Sequence, residues 1–127
     1  MARSHPRPTD AELTILRVLW QRGPSTVRQV HEVLADTRDT GYTTTLKLMQ
    51  IMADKGLVKR DESARTHIYS AIAGEEQTQR QLVKDLVDRA FGGSAAQLVL
   101  RALSAEDATD TEIKEIRKMI DDYREKR

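Results

Sequence analysis

The chain has 127 residues, 39% of them hydrophobic and 32% charged, with a formal net charge of +1 and no cysteine. That length buries one modest core, in a single domain or two small modules, and 12 Leu, 7 Ile, 8 Val and 1 Phe lift the sequence clear of the disordered regime. The missing cysteines exclude disulfides, thiolate metal sites and cysteine nucleophiles, and the lack of a long apolar run or a signal-like start reads as a cytoplasmic protein with no membrane insertion.

Residues 1–8 hold two prolines and two arginines without periodicity and read as a basic arm. A first helix is expected from Thr9, because Thr9-Asp10-Ala11-Glu12 has the capping-box spacing, and Leu13, Leu16, Leu19 and Trp20 form its expected buried stripe. Gly23-Pro24 stops it. Thr26-Val27-Arg28-Gln29 offers a second cap, followed by Val27, Val30, Val33 and Leu34 at helical spacing. The turn residues Asp36, Asp39 and Gly41 predict a loop, and Thr45, Leu48, Met49 and Met52 predict the core face of a third helix that Gly56 ends. Its opposite face carries Thr43, Thr44, Lys47, Gln50 and Ile51.

Past Gly56 the period changes. Residues 57–60 and 67–72 read as two short strands joined by the polar segment 61–66, a hairpin. Three helices and a hairpin are the order of a winged helix-turn-helix, whose third helix can enter a major groove. From Glu75 the pattern is helical again, with Leu82, Val83, Leu86, Val87, Ala90 and Phe91 as an apolar stripe up to Gly92-Gly93. A shorter apolar helix over Ala95 to Leu103 follows, and a last helix starts at Thr109 with Glu112 as its capping partner. The expected fold class is mainly α with a small β-hairpin: a winged helix-turn-helix over residues 1–73, then a helical dimerisation region over 74–127. The first part carries 11 Lys/Arg against 8 Asp/Glu and the second 10 against 12, so only the first leans basic.

The ordered set Ala11-Glu12-Leu13, Leu19-Trp20, Thr26-Val27-Arg28-Gln29-Val30, Tyr42-Thr43-Thr44, Lys55-Gly56-Leu57-Val58, Tyr69-Ser70, Gly92-Gly93 and Leu98-Val99-Leu100 resembles the BlaI/MecI/CopY family of bacterial transcriptional repressors, the penicillinase repressor family. The resemblance implies a homodimer whose winged helices each bind half of a palindromic double-stranded DNA operator, with the C-terminal helices pairing the subunits. The sequence departs from the family in three places. Copper-responsive relatives carry a C-terminal cysteine cluster that is missing here. Relatives cut by a membrane sensor protease have Asn-Phe where this chain has Arg101-Ala102, which leaves that bond as the candidate protease-sensitive site. Many relatives have Thr and Arg where Lys47 and Ile51 stand.

Within that fold, Thr43 and Thr44 sit where unpaired helix amides meet a phosphate or base edge, although Thr43 also suits a cap. Lys47 can reach a guanine edge or a phosphate, and Gln50 an adenine if the groove extends that far. Tyr42, placed just before the helix, either offers its hydroxyl to a phosphate or packs against the hairpin. Arg28 and Arg65 are candidates for backbone contacts, and equally ordinary surface charges. Leu82, Leu86, Phe91, Leu98, Leu100, Ile113, Ile116, Ile120 and Tyr123 are the expected dimerisation residues. His5, His31 and His67 lie on three different elements, so neither a metal site nor a cofactor is expected. With no catalytic motif either, an enzyme is not expected. The rival reading is a winged-helix adaptor that docks proteins without touching DNA.

Overall fold

Two reciprocal capping boxes start the chain's first helices. In the computed structural model, which describes residues 7–37, 40–105 and 107–126, Thr9 Oγ1 accepts the Glu12 amide at 3.2 Å while Glu12 Oε1 accepts the Thr9 amide at 2.9 Å. Thr26 and Gln29 repeat the exchange at 3.1 and 2.9 Å. These open α1 (Asp10–Arg22) and α2 (Val27–Ala35). There follow α3 (Tyr42–Lys55), a hairpin of β1 (Val58–Asp61) and β2 (Ile68–Ala71), then α4 (Glu75–Ala90), α5 (Ala95–Ala105) and α6 (Asp110–Lys126). The chain divides into two compact units, Met1–Leu82 and Val83–Arg127. His5, most of the N-terminal arm and the turn residue Asp39 lie outside the described residues.

The first unit has a continuous core of Ile15, Leu16, Val18, Leu19, Val27, Val30, Leu34, Met49, Met52, Leu57, Val58 and Tyr69. The single stripe expected on α1 is therefore too narrow. Ile15 and Val18 are buried, whereas Leu13 and Trp20 are only half-buried. The reason is that α1 packs against α2, α3 and β2 together, so its buried arc spans more than one side. Trp20 stays at the margin because its indole N–H donates to the Ala73 carbonyl at 3.0 Å, giving the polar edge a partner. On α3 the buried residues are Thr45, Met49 and Met52, with Leu48 half-buried beside them.

Gly56 ends α3 in the left-handed region, φ 85° and ψ 17°, a conformation that costs glycine nothing and a Cβ-bearing residue about 1–2 kcal/mol. The reversal carries Leu57 into the core rather than into the first strand, which begins one residue later than expected. The two strands pair antiparallel, with Arg60 opposite Tyr69. Tyr69 also exchanges backbone hydrogen bonds with Ser25 at 2.8 and 3.0 Å, so the turn between α1 and α2 is stitched to the hairpin.

The second unit is built differently. Ser94 and Thr109 cap α5 and α6 through the amides of Gln97 and Glu112, both at 3.1 Å. Yet none of the described residues from 83 to 126 is fully buried. Phe91, Leu98 and Ile116 are half-buried, while Leu86, Leu100, Ile113, Ile120 and Tyr123 are exposed. Val99, Leu103, Ile113, Ile116 and Ile120 line an open apolar groove of about 190 Å³. Leu82 falls in the first unit, beside Leu16 and Leu57. Among the described residues, no helix is long and apolar enough to cross a membrane.

One ion pair joins the ends of the three-helix layer. Lys55 Nζ donates to Glu12 Oε1 at 2.7 Å, on a carboxylate with a side chain only 4% exposed. Burial by itself would raise the Glu12 pKa. The hydrogen bond from Lys55, the Thr9 amide and the Lys55 charge together outweigh it and hold the group below its ordinary 4.5. A depressed carboxylate stabilises the fold above its unfolded value, and that contribution disappears as pH falls through the folded value. Glu12→Gln is expected to lower stability by about 1–3 kcal/mol at neutral pH, reduced from a fully buried pair because Lys55 is partly solvated. Urea denaturation should show the gap between wild type and variant closing as the buffer is taken below pH 4.5.

Candidate nucleic-acid interface

Among the described residues, the outer face of α3 is open to solvent. Thr43, Thr44, Lys47, Gln50 and Ile51 are all exposed, while Thr45, Met49 and Met52 hold the other side in the core. The helix starts at Tyr42, one residue earlier than expected, and Gly41 occupies the cap position without a side-chain cap bond. Thr43 is consequently not a cap; its hydroxyl lies within the first turn and is free to meet a ligand. Thr45 takes the local bond instead, its hydroxyl donating to the Gly41 carbonyl at 3.2 Å. The first-turn amides of α3 point outward beside Thr43 and Thr44, an arrangement suited to an anion.

Beside this face runs a groove of about 690 Å³ between the start of α2, the inner flank of α3 and the hairpin. Arg28, Tyr42, Gln50 and Arg65, singled out from sequence, all line it, together with Arg60, His67 and Glu62. Thr43, Thr44 and Lys47 sit on the neighbouring outer turn of α3 rather than in the groove. The two sets therefore form adjoining surfaces, one a protruding rod and the other a basic channel alongside it. Cationic groups converging on a channel attract polyanions, and the rod matches the width of a duplex groove.

Tyr42 is fixed by α2. The Arg28 guanidinium lies 5.4 Å from the centre of its ring, and the His31 ring meets it edge-on at 5.9 Å with an interplanar angle of 87°. The ring is a platform on which the Arg28 guanidinium lies. His31 Nδ1 is buried with no hydrogen-bond partner, so this histidine serves as an aromatic edge. Among the described residues, no group of three or more His, Cys, Asp and Glu side chains is placed to hold a metal ion.

Arg60 is a groove residue that the sequence pattern did not single out. Its Nε donates to Glu62 Oε2 at 2.6 Å, and it stands opposite Tyr69 in the hairpin. Tyr69 first, and the Glu62 bond second, favour the charged form and push its pKa up. The strand register held the clue, since Arg60 pairs with the buried Tyr69, but that register depends on where β1 begins.

Comparison with known proteins places this arrangement. A family model described as penicillinase repressor matches residues 8–122, nearly the whole chain. The chain belongs to the penicillinase repressor family. It is 36% identical over 92 residues to the transcriptional regulator BlaI of Mycobacterium tuberculosis, spanning 72% of this chain and 67% of that protein. Against the penicillinase repressor of Staphylococcus aureus the identity is 21% over 126 residues, covering 99% of this chain and 100% of the relative. The solution structure of the DNA-binding domain of the repressor BlaI superposes with a TM-score of 0.51 at 22% identity, over 58% of this chain and 90% of that one. The Bacillus licheniformis BlaI monomer in complex with the blaP half-operator gives 0.51 at 21% identity, over 59% and 92%. The likeness establishes the winged-helix fold of the first unit. As a member of the penicillinase repressor family the chain is a DNA-binding transcriptional repressor.

The stack on Tyr42 makes a specific demand on the ring. Tyr42→Phe is expected to keep stability within about 0.5 kcal/mol, whereas Tyr42→Ala, which removes both the cation and the edge contact, should lose about 1–2 kcal/mol. Thermal or urea denaturation of the two variants checks this; equal losses would show that the hydroxyl rather than the ring holds the site.

Proposed function

We propose that this repressor acts in the cytoplasm as a homodimer on a palindromic operator, each subunit laying α3 in a major groove. Thr43, Thr44 and Lys47 read base edges, and Gln50 reaches an adjacent pair. Arg28, Arg60, Arg65 and the Tyr42 platform hold the phosphate backbone and set the register. The observation that carries this reading is the solvent-facing side of α3 beside the basic groove: a helix buried on one side by Met49 and Met52 presents its polar side and its unpaired amides outward. Phosphate contacts supply affinity and base contacts supply discrimination, so the two residue sets have separable effects.

The dimer is supported by the second unit. The second half of α4 with α5 and α6, which leaves Tyr123 68% exposed and Met119 65% exposed, holds too little buried apolar surface to be stable as an isolated body. A second copy of the same faces covers them in the way that a twofold interface requires. Pairing there sets the distance between two α3 helices, which must match half-sites about 34 Å apart or a multiple of it. Release follows from loosening that pairing. The Arg101–Ala102 bond lies inside α5 with both residues exposed, so a sensor protease, anchored in the membrane, would reach it after local unwinding of that helix.

Footprinting on the promoter of its own gene over a range of ionic strength tests the reading. Steep loss of affinity with salt is expected, because each neutralised phosphate releases counterions. Protection absent at every ionic strength would instead favour the adaptor that docks proteins. Lys47→Ala should reduce discrimination between operator and random duplex by about 1–3 kcal/mol while the dimer persists. Ile116→Glu combined with Ile120→Glu should give monomers by sedimentation and much weaker operator binding; an undisturbed dimer would remove these residues from the interface.

A further inference from the structure

One side chain on the reading face matches neither hydrogen bonding nor charge. Ile51 is 47% exposed in the middle of α3, on the side that carries Thr44 and Lys47. At about 100° per residue, Thr44, Lys47 and Ile51 fall within a narrow arc, whereas Tyr42, Leu46 and Gln50 turn toward the basic groove. The face ends just beyond Ile51. Asp54 follows on the same side with a charge that repels phosphate, and Lys55 is drawn away to Glu12.

We propose that Ile51 is a specificity residue that packs on the 5-methyl group of a thymine in each half-site. The inference rests on the DNA-binding reading above and adds a base preference to it. In the major groove the four base pairs present acceptors, donors and one apolar group, the thymine methyl, so a branched aliphatic side chain has one natural complement there. Ile51 lies four residues past Lys47, about 6 Å along the helix axis, which corresponds to about two base-pair steps when the helix follows the groove. The thymine is therefore expected about two pairs from the one that Lys47 contacts. Cytosine at that position lacks the methyl and leaves the isoleucine against a bare ring edge.

Replacing thymine by uracil removes the methyl and nothing else. Within the footprint, each thymine is exchanged for uracil in turn, and equilibrium binding is measured with the full-length wild type, Ile51→Ala and Ile51→Val. At one thymine per half-site, uracil is expected to weaken wild-type binding about fourfold, the value of burying one methyl. Ile51→Ala should weaken binding to the thymine operator and be indifferent to uracil at that position, while Ile51→Val retains part of the sensitivity. If Ile51→Ala responds to every uracil as the wild type does, the proposal is overturned while the DNA-binding reading stands. If the wild type selects no promoter fragment at all, both fall.

Discussion

The reading head depends on a carboxylate that does two tasks at once. Glu12 Oε1 accepts the Thr9 amide, which starts α1, and the Lys55 ammonium, which closes the last turn of α3. The same atom thus fixes where one helix begins and where another ends. A cation at a helix C-terminus also meets the negative end of the peptide dipoles, so Lys55 is favoured there twice. With one end of α3 held in this way and its inner side packed through Met49 and Met52, the outer side is presented at a set angle to the hairpin and the groove. Rigid presentation is what base discrimination needs, because a helix that rocks in the groove averages its contacts away.

Much of this was legible in the order of residues. Capping at Thr9, Thr26 and Thr109, the left-handed stop at Gly56 and the apolar spacing on α3, and on α2 apart from the exposed Val33, depend on interactions within four residues, which local pattern reads well. The exposed face from Thr43 to Ile51 followed from the same periodicity. What was not legible involved contacts across the chain. The buried arc of α1 widened because three elements pack on it, and Leu57 entered the core because Gly56 reverses the backbone before the strand starts. Arg60 acquired its place from a partner on the opposite strand, and the ring of Tyr42 from residues on another helix. Single residues such as arginine and tyrosine carry no periodic signal, so only the assembled fold says which of them face one another.

The two units differ in what they can do alone. The first buries a dozen apolar side chains, Tyr69 among them, in the α1–α3 layer and the hairpin, and that hairpin is tied to the body through Ser25. The second forms helices with good caps but leaves its aliphatic residues half-covered or open. Caps and intrahelical ion pairs such as Lys84–Asp88 and Lys118–Asp122 favour helix without supplying tertiary stability. With so little shared core, the surface chemistry of one unit can change while the packing of the other is kept.

Trp20 is the chain's lone tryptophan, and its indole is bonded to the carbonyl of Ala73, just before α4 departs. Indole emission responds to hydrogen bonding and local polarity, so the protein carries a native optical probe at the root of that helix. Any event that pulls on the joint would register as a change in colour or intensity, with no dye attached.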